Sequence, residues 1–239
     1  MSPTPNELRE IAKVIRRDVL TMVLEAGSGH VGGSLSAAEI MVVLYWNVLR
    51  IKPDRPAWED RDRFVLSKSH AAPALYAALA RKGYFDVRDL LTFRKLKSRL
   101  QGTPDAQRTP GIDASVGSPG EGLSIANGIA LSAKRGGKGF RVYCLLGDGE
   151  LQEGQIWEAA LTGARHKIDG VCAVVDRNGL SGAGLTDEIA GLTPLADKWR
   201  AFNWHVCEVD GHNVEQLLAA FAEAESTKGK PSVVIANTV

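Results

Sequence analysis

From Ser124 onward the chain alternates between two hydrophobic periods, and this alternation restricts the fold more than any other feature. Apolar residues recur at helical spacing over Ser124–Arg135, run on over Arg141–Leu146, return to helical spacing over Gly154–Arg165 and run on again over Val171–Asp176. The pattern continues with a helix over Leu195–Phe202, a strand over His205–Val209, a helix over Val214–Glu225 and a strand over Ser232–Ala236. Strands that are apolar throughout need cover on both faces, and strands joined through helices run parallel. The expected fold class is therefore α/β, a single domain over residues 1–239 with a mostly parallel twisted sheet flanked by helices. Ligands bind such sheets beyond the carboxyl ends of the strands, which directs attention to the turns after Leu146 and Asp176.

The N-terminal half is less regular. Leu8, Ile11, Ile15, Val19, Met22 and Val23 predict an amphipathic helix over Asn6–Glu25 that ends at Gly27. A glycine-rich turn from Gly27 to Gly33 follows, and Ser36 reads as the cap of a second helix reaching Leu49. Arg63–Ser67 reads as a short buried strand that runs into Lys68-Ser69-His70 and a helix over Ala71–Lys82. Between Ser98 and Gly122 there is no clear period, and a loop of that length inside a domain is usually functional.

Composition excludes several function classes. A formal net charge of +1 gives no electrostatic reason to expect nucleic acid as a partner. The basic cluster from Arg94 to Arg99 reads first as a solvated helix end and second as a site for an anionic substrate tail. No apolar run approaches the roughly 20 residues that span a bilayer, so no membrane role is expected. Three cysteines, Cys144, Cys172 and Cys207, lie among aliphatic residues and form no disulfide framework; a reducing cytoplasm is the default location.

The most informative segment is Leu145-Leu146-Gly147-Asp148-Gly149-Glu150, in which an apolar strand runs into a carboxylate bracketed by glycines. Taken alone, Gly-Asp-Gly is more often a turn or a helix cap than a site. The next strand ends in Asp176-Arg177-Asn178-Gly179-Leu180, so Asp148 and Asn178 leave neighbouring strand ends on one edge of the sheet. A carboxylate and an amide oxygen are the hard donors that Mg²⁺ prefers, with positions left over for phosphate oxygens and water.

Gly147 to Asn178 resembles the thiamine-diphosphate motif, a Gly-Asp-Gly followed by Asn roughly 25 to 30 residues later across one βαβ crossover. The resemblance extends along the chain to the N-terminal half of transketolases, and most to the bacterial version whose halves are separate polypeptides. It is carried by Gly27-Ser28-Gly29-His30, the run from Asp62 to His70, Gly117 to Gly122, Gly147 to Glu150, Asn203-Trp204-His205 and Asp210-Gly211-His212. It implies that Asp148, Asn178 and the carbonyl of Leu180 hold Mg²⁺, with Ca²⁺ or Mn²⁺ as substitutes. It further implies that His70, Gly117, Ser118, Pro119, Gly147, Gly149 and Glu150 lie against thiamine diphosphate, and that His30 and His70 are catalytic, His30 facing the substrate hydroxyls. His166, His205 and His212, like Trp46, Trp157 and Trp199, read as structural.

The resemblance also implies the activity, transfer of a two-carbon ketol unit from a ketose phosphate to an acceptor. The glutamate that faces the aminopyrimidine belongs in the family to a following domain. A C-terminal transketolase-like subunit with the pyrimidine-binding domain is thus the expected partner, in an assembly of two of each. Departures accompany the matches. Thr103 stands where the family has an active-site histidine, Pro119 where leucine is usual, Asn237 where a lysine is expected, Ser69 for glycine, and Gly33 where some relatives carry serine. Thr103 raises the alternative of a specialised acceptor, such as the thiol of an acyl-carrier-type protein, and a third reading is a non-catalytic subunit that has kept the fold.

Overall fold

The computed structural model describes residues 2–182 and 184–239. Helix α1 (Pro5–Ala26) is started by a capping box in which Thr4 and Glu7 satisfy each other's backbone N–H, and Gly27 stops it in the left-handed conformation. It buries Leu8, Ala12, Ile15, Val19 and Met22, the stripe expected from the sequence with Ala12 in place of the half-buried Ile11 and Val23.

The single helix expected from Ser36 to Leu49 is instead broken into α2 (Gly32–Leu35), α3 (Ala38–Val43) and a widened π-type turn over Leu44–Val48. Ser36 caps nothing. It already has helical dihedrals, and its hydroxyl donates to the Asp176 carboxylate at 2.7 Å, a stronger partner than a free backbone N–H.

The remaining elements follow the sequence pattern closely: β1 (Arg63–Leu66), α4 (Ala72–Lys82), α5 (Glu121–Arg135), β2 (Val142–Gly147), α6 (Gly154–Arg165) and β3 (Val171–Arg177). A small hairpin of β4 (Leu180–Ser181) and β5 (Gly184–Leu185) then leads through the short α7 (Thr186–Ile189) to α8 (Leu195–Ala201), β6 (His205–Asp210), α9 (Val214–Ser226) and β7 (Ser232–Asn237). The strand order is β1-β2-β3-β7-β6, and every pairing in this sheet is parallel. Register brings Gly147 beside Asp176, so the two turns singled out in the sequence leave adjacent strands at the same height.

Side chains divide between the two faces with period two. Tyr143 and Leu145 of β2, Cys172 and Val174 of β3 and Val234 of β7 join the layer beneath α1, α3, α4 and α9. Val142, Cys144 and Leu146, with Val171, Ala173 and Val175, join the layer beneath α5, α6 and α8. The three cysteines are buried and unpaired, and burial raises the Cys172 thiol to about 12, which leaves it inert. Among the described residues no helix is long and apolar enough to cross a membrane.

The second layer is anchored by Trp199, fully buried, with Trp157 and Trp204 rings at centroid distances of 5.3 and 4.9 Å. Removing so large a side chain leaves a cavity the rigid sheet cannot close. Trp199→Ala should lower the unfolding free energy by about 3–5 kcal/mol, read as a reduced urea midpoint at unchanged slope.

Candidate active site

Beyond the carboxyl ends of β1, β2 and β3 lies a cavity of about 860 Å³. Its wall is drawn from the glycine-rich turn (Gly29 to Gly33), the β1 exit (Ser67 to His70), the β2 exit (Gly147 to Glu150), Asn178 and Leu180 after β3, and Pro119 before α5. Four of the six sequence segments that carried the resemblance thus meet at one place, whereas Asn203-Trp204-His205 and Asp210-Gly211-His212 lie outside the cavity wall.

Asp148 is 2% exposed, and its carboxylate accepts from the Gly149 N–H at 2.9 Å, the Gly179 N–H at 2.7 Å and, at 3.5 Å, the Thr186 hydroxyl. Burial nevertheless raises its pKa above the usual carboxylate range, against the lowering effect of those two N–H groups and of Lys68. Gly149 is needed for this packing: a Cβ there would sit 2.8 Å from the Cβ of Ser181. Asn178 turns its amide oxygen to the Leu180 N–H at 3.0 Å and its amide nitrogen toward Ser36 at 3.4 Å.

Lys68 and Asp176 lie beneath these donors. They form an ion pair at 2.6 Å, with side chains only 1% and 0% exposed. Asp176 also accepts from Ser36 and from Thr238, so its oxygens are fully engaged. Lys68 is therefore committed to Asp176, and it acts on Asp148 only at longer range. A buried carboxylate without a close counter-ion, an amide oxygen from the next strand and a cavity beside both are what a hard divalent cation fits. The buried Nε2 of Gln152, another residue of the cavity wall, has no hydrogen-bond partner and suits an anionic oxygen of a ligand. The residues present therefore fit a metal-bound diphosphate.

Glu150 has a different position from the one expected of a cofactor contact. It borders the cavity, but its carboxylate is taken up by protein donors: the Ser67 hydroxyl, the Gly120 N–H at 2.7 Å and the Gly147 N–H at 3.0 Å. It cinches the β1 exit, the start of α5 and the end of β2 together. Of the other expected contacts, Pro119, Gly147, Gly149 and Leu180 border the cavity, whereas Gly117 and Ser118 are exposed outside its wall.

His30 and His70 face each other edge to face, ring centroids 5.3 Å apart, and both open onto the cavity. Although the His70 ring meets that open space, crowding by protein, then Lys68, then His30, lowers its pKa to about 4. At neutral pH it is an uncharged imidazole, able to donate from one nitrogen and accept at the other. Gly33 leaves room for this ring, because a Cβ there would lie 3.0 Å from His70 Nε2.

Thr103 is exposed and outside the cavity wall, as are the residues of the basic cluster. Lys95 pairs with Glu25 at 2.8 Å and Arg99 with Asp89 at 3.1 Å, which matches the solvated reading of that cluster. Asn237 ends β7 and donates to the Val209 carbonyl at 3.3 Å. His166 caps α6, His212 contacts the Glu39 carboxylate at 3.0 Å, and His205 pairs with Glu223 at 2.9 Å. The residues that sequence reasoning missed are Lys68, Asp176, Ser36 and Gln152. Asp176 lies two positions before Asn178 in an otherwise aliphatic strand, a signal that a buried charge needs a partner.

Two measurements probe this arrangement. Between its unfolded value of about 6.5 and its folded value of about 4, His70 binds more protons unfolded than folded. Stability from this group is therefore complete above pH 6.5 and is lost as pH falls toward 4, and the His70 ring resonance should titrate near 4 in the isolated chain. Lys68→Met leaves the Asp176 charge buried and alone, which should cost about 3–5 kcal/mol in urea unfolding. Removal of that ammonium should also raise the His70 midpoint.

Comparison with known proteins agrees with this geometry. Residues 8–239 match the family described as transketolase, thiamine diphosphate binding domain. The chain is 45% identical to the 6-deoxy-6-sulfo-D-fructose transketolase subunit SqwG of Clostridium sp. (strain MSTE9), across 100% of this chain and 87% of that protein. It is 41% identical to one subunit of the apulose-4-phosphate transketolase of Actinobacillus succinogenes, across 98% of this chain and 84% of that protein. The transketolase structure from Campylobacter jejuni superimposes with a TM-score of 0.93 at 33% identity, covering 99% of this chain but only 38% of that one. The chain therefore belongs to the transketolase family, as a thiamine-diphosphate-binding N-terminal part of the kind that some relatives carry on a separate subunit.

Proposed function

We propose that this chain is the cofactor-holding subunit of a two-component transketolase, which moves a two-carbon ketol unit from a ketose to an acceptor. One observation carries the reading: Asp148 and Asn178, from the ends of adjacent parallel strands, border a single cavity that the His30–His70 pair also faces. Asp148, Asn178 and Leu180 would hold Mg²⁺, or Ca²⁺ or Mn²⁺ in its place, and the free Gln152 amide would meet a diphosphate oxygen. Bound thiamine diphosphate supplies the nucleophilic carbon that breaks and remakes a carbon–carbon bond next to a carbonyl.

The work of the chain itself is positioning and proton handling. The Lys68–Asp176 pair and the Glu150 cinch fix the heights of the three strand ends, so the donors need no rearrangement when the ligand enters. Neutral His70 can take or give a proton at a substrate hydroxyl, with His30 beside it to share the contact. The glutamate opposite the aminopyrimidine would come from a C-terminal transketolase-like subunit, and two copies of each chain would form the assembly.

The named substrates of the relatives, 6-deoxy-6-sulfo-D-fructose and apulose-4-phosphate, are sugars with an anionic terminus, and a donor of that chemistry is the one favoured here. The reading of a carrier-protein acceptor rests on Thr103, whose exposed position outside the cavity wall gives it no support. A non-catalytic subunit would have no use for a buried Asp148 that borders a cavity without a cationic side chain in contact among the described residues.

The test is calorimetric titration of thiamine diphosphate with Mg²⁺ into the chain reconstituted with its partner, followed by turnover of a ketose phosphate. Asp148→Asn should weaken binding by at least ~10-fold and lower turnover in step. Unchanged binding in this variant, or no binding by the native pair, would overturn the proposal.

A further inference from the structure

The opposite end of the molecule holds a second cluster of potential ligands. His205 opens β6 and Cys207 follows two residues later, so both side chains emerge on the same face of the strand. Helix α9 packs over that face, with Leu217, Ala220 and Phe221 in the same apolar layer as Cys207. From this helix Glu223 reaches the strand. His205 Nε2 lies 2.9 Å from a Glu223 oxygen and 3.5 Å from the Cys207 sulfur, and one ligand atom from each residue falls within 4.8 Å of the other two.

We propose that His205, Cys207 and Glu223 form a binding site for a thiophilic divalent cation, Zn²⁺ by preference, separate from the hard-oxygen site of Asp148 and Asn178. The donor set decides the metal class. An imidazole nitrogen, a thiolate and one carboxylate select zinc over magnesium, which takes oxygen donors and near-octahedral geometry. A tetrahedral zinc ion, with bonds of about 2.0 to 2.3 Å, separates its ligand atoms by about 3.3 to 3.7 Å. The observed 2.9 and 3.5 Å bracket the lower part of that range, and Glu223, exposed on its helix, is free to move away from His205 and toward Cys207.

Two further observations fit. Ser232 stands level with His205 on the neighbouring strand, where parallel pairing turns both side chains to the same face. It is fully buried and its hydroxyl has no hydrogen-bond partner, so this corner holds an uncommitted oxygen. Access is also provided, since the His205 side chain is 23% exposed and that of Glu223 59% exposed.

The site lies at the amino end of β6, whereas the cofactor cavity lies beyond the carboxyl ends of β1, β2 and β3, so an ion here has no part in the ketol chemistry. It fastens the edge strand of the sheet to the helix above it.

Co²⁺ serves as the probe, because a thiolate bound to it gives a ligand-to-metal charge-transfer absorption and an oxygen-only site does not. Titrated into the full chain, Co²⁺ should develop this band, saturate at a single ion, and be displaced by Zn²⁺. The band should vanish in Cys207→Ser, and Glu223→Gln, on an exposed helix position, should bind at least ~10-fold more weakly without loss of fold. A native chain that gives no thiolate band carries only a His–Glu ion pair over a buried thiol, and the proposal fails. It fails equally if the band persists in Cys207→Ser or if Glu223→Gln binds as the native chain does.

Discussion

A lysine and an aspartate sealed from water, 2.6 Å apart, hold the rest of this site in place. Lys68 follows β1 and Asp176 lies near the end of β3, so their contact spans the intervening β2 at the level of Gly147. Two ions in a medium of low dielectric tolerate little displacement, since each loses its main compensation if they part. Ser36 and Thr238 add hydrogen bonds from the segment after the glycine-rich turn and from the end of β7. Three separated stretches of chain are thereby fixed to a carboxylate on a fourth, and Asp148, Asn178, His30 and His70 are mounted on or beside those stretches.

This arrangement divides charge between neighbouring carboxylates. Asp176 is neutralised by protein, while Asp148, which shares the same corner of the sheet, relies on two backbone N–H groups, a long hydrogen bond from the Thr186 hydroxyl and the more distant effect of Lys68. Unequal compensation distinguishes a structural acid from one left for a ligand. The same logic separates Glu150, whose oxygens are consumed by Ser67, Gly120 and Gly147, from the donors that remain open. Asp148 and Glu150 both border the cavity, so it is the partner inventory that assigns their roles.

Much of this is legible in the sequence, for identifiable reasons. The inner strands β2, β3 and β7 are readable because they are apolar on both faces, and the helices between the strands carry a single buried stripe. Their carboxyl ends can then be located to within a residue, which brings Asp148 and Asn178 together from spacing alone. The helix after Gly33 departs from its expected course because its hydrophobic period continues through Ser36 while the backbone does not, the interruption being set by a carboxylate 140 positions away in sequence. The same long reach hides the pairing of Lys68 with Asp176. Thr103 looks informative against the family pattern, yet its exposure outside the cavity wall depends on the path of an aperiodic loop that spacing does not encode.

The sheet ends in two free borders, β1 and β6, whose outer backbone groups have no neighbouring strand among the described residues. Such rims invite accretion of further chains, a hazard for a protein that exposes apolar surface such as Leu180 and Ile189 around its ligand cavity. Both are blunted by different means. The first spans only four residues and begins with Arg63; the second turns Glu208 and Asp210 to solvent, so an incoming copy would set like charges against each other. Resistance to edge-to-edge stacking is thus written into the margins of the sheet rather than into its core.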